Sequence, residues 1–517
     1  MKLPSRLKIP PALRAISDFL AESRTESYLV GGALRDLVLG RETSDLDIAV
    51  KGQALEIARK AATALNGKYV ALDEANGTAR VLLPGKPEWQ IDFTGFGGTI
   101  EQDLGRRDFT VGAMAANLAH MGAGPSPIID PYHGLEDLSN GIIRVVSDGT
   151  FRADPLRLLR AVRLASELGF TIERHTEDLI KREAPLISQS AGERLREELL
   201  RILALPSSGQ RWAYFDRLGL VTELFPELKS ARGIRQPEEH HWDVLHHSLM
   251  TEAAAGFLLR QGEWEYASPD VLDVVPWSAE LAAHFETEVS HGSTRSTLLK
   301  LAGLLHDVAK PETRVVTESG RTRFLGHADL GATVTADILI RLRFSTREVK
   351  LVETLVKYHL RPTQMSQTGL PSPRAIYRYF RDTGEAGLDT LYLSLADHLA
   401  ARGPGLLRAE WRRHSETVAY VTRQHFEANT PAKPPRLLTG HDLIGTFNLS
   451  PGPRIGEILE AVREATAAGE LASKAQAMEY AGVLLAAPPK SRRHEKDNRE
   501  SRGKVLPHTP EETNDEE

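Results

Sequence analysis

Five short runs in the first hundred residues carry the alternating or compact apolar pattern of strands: YLVGG (28–32), DLDIAV (45–50), KYVAL (68–72), ARVLL (79–83) and WQIDF (89–93). Between the second and third, ALEIARKAATAL (54–65) has the spacing of a helix face. This head reads as a sheet domain. From about residue 150 the period changes. PLRLLRAVRLASELGF (155–170), ERLREELLRILAL (193–205) and STLLKLAGLLHDVAK (296–310) place apolar residues at i, i+3 and i+4, so the rest of the chain is expected to be helical. LGF (168–170) and LGL (218–220) end helices with glycine near the C-cap.

A chain of 517 residues is too long for one domain at roughly 100–200 residues each. Breaks are expected at RQPEEHH (235–241) and at the Pro-rich NTPAKPP (429–435). The expected division is a head over 1–150, a helical neck over 151–235, a His-bearing domain over 236–400 and a helical region over 401–487. The remaining residues, 488–517, are charged, poor in apolar residues and read as a disordered tail. With 64 Lys+Arg against 70 Asp+Glu the net charge is −6, which excludes a uniformly basic coat but not a local basic groove. The absence of cysteine excludes disulfides, thiolate zinc sites and cysteine nucleophiles, so a metal would be held by His and carboxylates. The start, MKLPSRLKIPP, has no apolar core of a signal peptide, and no apolar run is long enough to span a bilayer. The expectation is a cytoplasmic protein with no membrane partner.

GGALRD (31–36) follows a strand and opens a helix. Gly31 and Gly32 would let backbone approach a phosphate at the helix N-terminus, or simply make a turn. Asp45 and Asp47, two apart on a strand, point to one face. Such a pair is either a divalent-metal site or a solvated strand end. Asp92, on another strand, is a third carboxylate for the same site or a surface residue.

GG-x-x-RD followed by D-x-D resembles the polymerase-β-like nucleotidyltransferase fold. RRDFTVGAMAANL (106–118), DPYHGLEDL (130–138), FRADPLRLLRAVRLASELGF (151–170) and ERLREEL (193–199) follow in an order and spacing similar to class II tRNA nucleotidyltransferases, that is, CCA-adding enzymes and bacterial poly(A) polymerases. The likeness is strongest over about residues 25–230 and continues more weakly to about residue 480. It implies an α+β fold, with a polymerase-β-like head followed by a largely all-α body. It also implies addition of CMP and AMP, from CTP and ATP, to the tRNA 3′ end without a nucleic-acid template. By the same resemblance Asp45, Asp47 and Asp92 are catalytic, with Mg2+ on Asp45 and Asp47. Gly31, Gly32, Arg35, Arg107 and Asp108 contact triphosphate and ribose. Asp154 and Arg157, taken as i, i+3 on one helix face, select the base, and Glu193 and Arg194 brace that helix. A carboxylate accepts from the exocyclic amine of cytosine or adenine, and a guanidinium donates to the adjacent ring nitrogen. Two positions depart from the family pattern: Gly112 stands for Asn after DFTV, and Ala153 for Glu before Asp154. Arg157, Arg160 and Arg163 recur along one helix, as a phosphate-contacting stripe or a solvated one.

HHWDVLHHSL (240–249), LLKLAGLLHDVAKP (298–311), LGHADLG (325–331), KYHLRP (357–362) and SLADHLA (394–400) give the order H…HD…H…H…D. This resembles the HD phosphohydrolase superfamily, with Lys310 in its HDxxK pattern. The implied ligands are His247 (chosen over His246 from its spacing to Asp243), His306, Asp307, His327, His359 and Asp397, binding Mn, Fe, Ni or Mg. His306 and Asp307 are expected within an apolar helix. The implied chemistry is phosphoester hydrolysis, of cyclic or terminal phosphates on damaged RNA ends. LLTGHDLIGTFNLSPGPRIGEIL (437–459) is similar to a C-terminal tRNA-supporting segment, or is merely structural. The competing readings are a poly(A) polymerase, a CC-only or A-only adding enzyme, a protein uridylyltransferase with an HD hydrolase and a non-catalytic RNA-binding protein. HD-first alarmone enzymes have the opposite domain order.

Overall fold

The computed structural model describes residues 9–75, 77–85, 88–120, 127–367, 369–427 and 434–486. The expected tail over 488–517 and most of NTPAKPP lie outside them. The chain forms two compact units, Met1–Leu370 with Thr383–Thr422, and Pro371–Asp382 with Arg423–Glu517.

The head is a seven-stranded mixed sheet. Its strands are β1 (Ser27–Val30), β2 (Asp45–Lys51), β3 (Lys68–Asp73), β4 (Thr78–Leu83), β5 (Trp89–Phe96), β6 (Ala115–Asn117) and β7 (Ile128–Ile129). Their order is β3-β4-β5-β2-β1-β6-β7, and β2 with β5 is the parallel pair. All five expected strands are present. The first ends at Val30 rather than at residue 32, because Gly31, at φ +66°, already opens the helix Gly31–Val38. β6 and β7 are too short to leave a periodic signal.

Strand alternation gives the sheet two unlike faces. Leu46, Ile48 and Val50 of β2 are buried. On the opposite face Ala49 joins Tyr28, Val30, Phe96, Ile100 and Leu104 in a small core, while the near end of that face carries Asp45 and Asp47. The carboxylates therefore stand at the rim, where the apolar cover stops.

Beyond the sheet the first unit is almost wholly helical. Two central helices, Val244–Leu258 and Arg295–Leu305, bury every residue except His246. Helices apolar all round belong in a core. Lys300 is buried on the second of them and donates to the carbonyls of Leu203 (3.0 Å) and Leu205 (3.3 Å), at the C-terminal end of the helix Gly192–Ala204. Arg196 of that same helix pairs at 2.6 Å with Glu348, which closes the capping box of the helix Thr346–Tyr358. The second unit packs Gly440–Phe447, Pro453–Ala467 and Lys474–Ala486 around Leu443, Ile458, Val462 and Ala477. Within it Arg374 pairs with Glu470 (2.8 Å), and Tyr377 donates to Glu460 (3.1 Å). Among the described residues no helix is long and apolar enough to cross a membrane.

Candidate functional site

The parallel register of β2 and β5 sets Asp47 directly beside Asp92. Across β5, Arg80 of β4 is opposite Asp92 and grips it with two hydrogen bonds of 2.7 and 2.8 Å. Asp47 Oδ2 accepts from the backbone N–H of Ala33 at 3.3 Å, in the first turn of Gly31–Val38. A Cβ on Gly31 would lie 2.8 Å from that oxygen and 3.0 Å from Arg107 Nη1, so the glycine is required by both its φ and its neighbours. Burial pushes the Asp47 carboxyl up, and the charge of Asp92 adds to it. The Ala33 N–H and Arg107 only partly offset them. A carboxylate whose ionised form is disfavoured in this way gains most from a cation. Asp45 starts the strand, exposed, in a turn closed by Thr43.

Arg35 is buried and forks onto its neighbour Asp36 at 2.8 and 3.0 Å, beneath Gly32. Arg107 reaches Asp103 at 3.3 Å. Asp108 accepts from the Phe109 N–H (2.9 Å) and from Arg160 (2.9 Å), which ties the head to the helix Arg157–Leu168.

Asp154 and Arg157 do not share a helix. Asp154 ends the short helix Thr150–Ala153 in an extended conformation (φ −153°, ψ 102°), and Arg157 begins the next helix. Pro155 is the reason, since the residue before a proline is driven out of the helical region. Arg194 forks onto Asp154 at 3.1 and 2.7 Å, and Arg157 donates to the Arg106 carbonyl at 2.9 Å. Burial alone would raise the Asp154 carboxyl, but Arg194 outweighs it and holds it below the usual range. Glu193 points away, exposed, 3.6 Å from Arg343. The expected stripe of three arginines also separates. Arg163 is buried and paired with Glu198 and Glu167, while Arg160 is spent on Asp108, so only Arg157 stays by the base-selecting position.

In the helical body the six expected ligands converge from five segments. His306 and Asp307 follow the helix Arg295–Leu305 rather than lying within it, since the helix stops at Leu305. His306 and His359 close the C-terminal ends of their helices, and His327 opens Gly326-capped His327–Arg341. In each of the three, Nδ1–H donates to the carbonyl three residues earlier: Gly303 (2.9 Å), Phe324 (2.8 Å) and Val356 (2.6 Å). This fixes the tautomer and turns every Nε2 inward. Asp307 Oδ2 faces His247 (3.4 Å) and His306 (3.2 Å), and Oδ1 faces His327 (3.5 Å) and His359 (4.0 Å). Asp397 lies 3.0 Å from His247 Nε2. The chosen His247 is fully buried here, whereas His246 stacks on Trp242.

Nε2 atoms face one another at 3.2 Å (His247, His306) and 3.4 Å (His327, His359), and Asp307 Oδ1, buried between His327 and His359, accepts no hydrogen bond. Lone pairs collected in this way, with a carboxylate between them, fit divalent cations. Burial drives His359 down to about 3 and also lowers His247 and His327. At His306 burial is outweighed by Asp307 and Asp397, and the imidazole is raised to about 10. His306 therefore favours a positive charge, while its neighbour His247 and the pair His327 and His359 favour neutral imidazole. Lys310 Nζ approaches Asp307 at 2.6 Å and donates to Gln236.

Residues 27–96 and 87–144 match the poly(A) polymerase head domain, and 169–232 the "Probable RNA and SrmB-binding site of polymerase A". Residues 244–402 match the HD domain and 412–481 the tRNA nucleotidyltransferase domain 2. An A-adding tRNA nucleotidyltransferase of Deinococcus radiodurans is 35% identical, covering 87% of this chain and 94% of its own. A CC-adding tRNA nucleotidyltransferase of Geobacter sulfurreducens is 32% identical, covering 88% and 91%. The Thermotoga maritima CCA-adding enzyme complexed with tRNA shares the fold, with a TM-score of 0.56 at 22% identity over 92% of this chain and 97% of that one.

The chain belongs to the tRNA nucleotidyltransferase and poly(A) polymerase family. Family members of this kind, with a nucleotidyltransferase head and an HD domain, use divalent metals. Both departures from the family pattern have a local reading. A Cβ on Gly112 would meet only Asp108 Oδ1, at 3.7 Å, so the usual Asn would sit beside that carboxylate, which Arg160 and the Phe109 N–H hold here. Ala153 is exposed, beside Asp154. Arg80 was not foreseen as a site residue. Its signal was the ARVLL strand itself, which places Arg80 on the face opposite Ala79 and Val81.

Proposed function

We propose that this protein adds nucleotides to the 3′ end of tRNA, selecting them by amino-acid side chains. The observation that carries the reading is the Asp47–Asp92 pair at the sheet rim, with the Gly31 backbone against it. Asp45 and Asp47 would hold Mg2+, which supplies charge neutralisation for the leaving pyrophosphate and acidity at the primer 3′-hydroxyl. Asp92, held by Arg80 beside Asp47, would be the third catalytic carboxylate of the same site. Gly31, Gly32 and Arg35 form the turn that receives the triphosphate, and Arg107 and Asp108 line its other side, toward the ribose. Asp154 keeps free lone pairs beyond the Arg194 fork and accepts from the exocyclic amine of C or A. Arg157, turning from the Arg106 carbonyl, donates to the ring nitrogen. Uracil and guanine offer the opposite polarity, and a buried mismatch costs about 1–3 kcal/mol.

A second reading within this activity, addition of A alone or of CC alone, is favoured by the A-adding and CC-adding relatives, which are covered almost end to end. Incubation with tRNA ending at the discriminator base, at –C or at –CC, with CTP and ATP, separates them by product length. Incorporation of neither nucleotide overturns the proposal. The second unit, with the helices after residue 437, would support the tRNA away from its 3′ end.

The HD cluster would hydrolyse phosphoesters. His247, His306 and Asp397 would form one ligand group and His306, Asp307 and His359 another, with His327 3.5 Å from Asp307, to hold Mn2+, Fe2+, Ni2+ or Mg2+ that activates water. Asp307 is kept ionised by His306 and Lys310 against its burial.

A further inference from the structure

Above the HD ligands lies a cavity of about 690 Å³ whose walls include His327, His359 and Asp397 and the cations Lys310, Arg321, Arg323 and Arg402. Two of these cations are already spent. Lys310 faces Asp307, and Arg402 pairs with Glu410 at 2.7 Å. Arg321 and Arg323 are exposed and have no ion-pair partner among the described residues. They sit on the hairpin formed by Arg314–Val316 and Thr322–Phe324, in which Val315 faces Arg323.

This hairpin is tied to the metal cluster. The Phe324 carbonyl fixes His327, and the Phe324 ring lies 5.5 Å from Lys310 Nζ. Arg323 precedes His327 by four residues, at most about 14 Å of extended chain. Two neighbouring guanidiniums without counter-charges repel each other, and a phosphodiester relieves that repulsion through forked hydrogen bonds. Leu325, 68% exposed on the same lip, offers an apolar contact to a sugar or base.

We propose that Arg321 and Arg323 form a second phosphate subsite, so that the HD centre selects terminal phosphoesters carried on a nucleic-acid strand over isolated small ones. The proposal rests on the reading of the HD cluster as a hydrolase. In the reaction a P–O bond of the terminal ester breaks, and the oxygen of water takes its place on phosphorus. The proton of water goes to the departing oxygen. The arginines stay on the next phosphodiester of the strand and do not touch the reacting bond.

The test compares two substrates of the full chain with added Mn2+: a short oligoribonucleotide ending in a 2′,3′-cyclic phosphate, and bis(p-nitrophenyl) phosphate. In R321Q/R323Q, kcat/KM for the oligonucleotide falls at least about tenfold relative to the small ester, through KM, and its salt dependence flattens by about one unit of log–log slope. R321K/R323K restores the salt slope but only part of KM, since an ammonium keeps the charge and loses the fork. Nucleotide addition, which uses the head, checks that each variant folds. An equal fall on both substrates, or an unchanged oligonucleotide KM, overturns the subsite alone. Wild-type protein that hydrolyses neither substrate overturns the hydrolase reading and the subsite with it.

Discussion

The two acidic centres are built on opposite plans. In the head and neck the carboxylates are open, and four of them are matched by a donor from another segment: Asp92 by Arg80, Asp47 by the Ala33 N–H, Asp154 by Arg194, Asp108 by Arg160. These donors hold the carboxylates in place while leaving some of their lone pairs open to a substrate. In the HD cluster all the ligands but Asp397 are buried and face one another, and three of the imidazoles take their orientation from backbone carbonyls rather than from charged partners. The head is completed by what it binds, whereas the HD cluster is organised before anything arrives. That difference predicts that the head tolerates loss of a partner with altered selectivity, while loss of an HD ligand leaves buried groups unmatched.

The largest effect separates the two centres. Asp47→Ala should lower nucleotide addition by at least about 1000-fold, several kcal/mol of transition-state stabilisation, while hydrolysis of a model phosphodiester persists. His306→Ala should do the reverse. Parallel assays of both activities on both variants check this. If either variant loses both activities while remaining folded, the two-centre description is wrong.

The joint between the centres gives the next effect. Lys300, fixed to the end of the helix that carries Arg194, lies on the helix that leads into His306. Burial lowers its ammonium to about 8. Between pH 8 and its usual value of 10.5 the unfolded chain holds a proton that the folded chain lacks. Stability contributed at this position therefore rises with pH across that window, by up to about 3 kcal/mol. Urea unfolding of the wild type and Lys300→Met at pH 7.5 and 10 should show the wild type gaining on the variant. A constant difference would mean that the ammonium is solvated.

Third in size is base choice. In Asp154→Ala the exocyclic amine of C or A loses its acceptor, and discrimination against UTP should fall by about 1–3 kcal/mol, roughly 5- to 150-fold. Arg194→Ala should relax selection less, since Asp154 keeps its Leu156 N–H contact. Sequencing of tRNA 3′ ends after reaction with all four nucleotides reads both. Unchanged choice in Asp154→Ala would remove the side-chain template.

What the sequence made legible follows from the same contrast. Strand alternation placed Asp45 and Asp47 on one face from local spacing alone, whereas the HD ligands, spread over residues 247–397, were named only through the resemblance of their order to the HD superfamily. Partners set by strand register or by distant helices stayed hidden. Arg80 meets Asp92 only through the β4–β5 pairing, and Arg163 turns inward because Glu198 is there; Arg194 was expected to brace the base-selecting helix, but not to fork onto Asp154 itself. The i, i+3 helix face expected for Asp154 and Arg157 failed on one residue, Pro155, whose effect on its predecessor was present in the sequence but was overridden by the helical period around it.

The smallest effect tests the head where it is tightest. Gly31 adopts φ +66°, which costs an L-residue about 1–2 kcal/mol, and its missing Cβ leaves the approach to Asp47 open. Gly31→Ala should lower stability by about that amount. It should also reduce addition about tenfold by displacing Asp47 Oδ2 or Arg107, while Gly40→Ala, at φ +70° with nothing within 4 Å, should carry the backbone cost alone. Comparing addition rates of the two variants at matched stability isolates the contact with Asp47. Equal rates would mean that the turn serves the fold and not the site, and the head would then lose the feature that most distinguishes its open rim from the closed HD cluster.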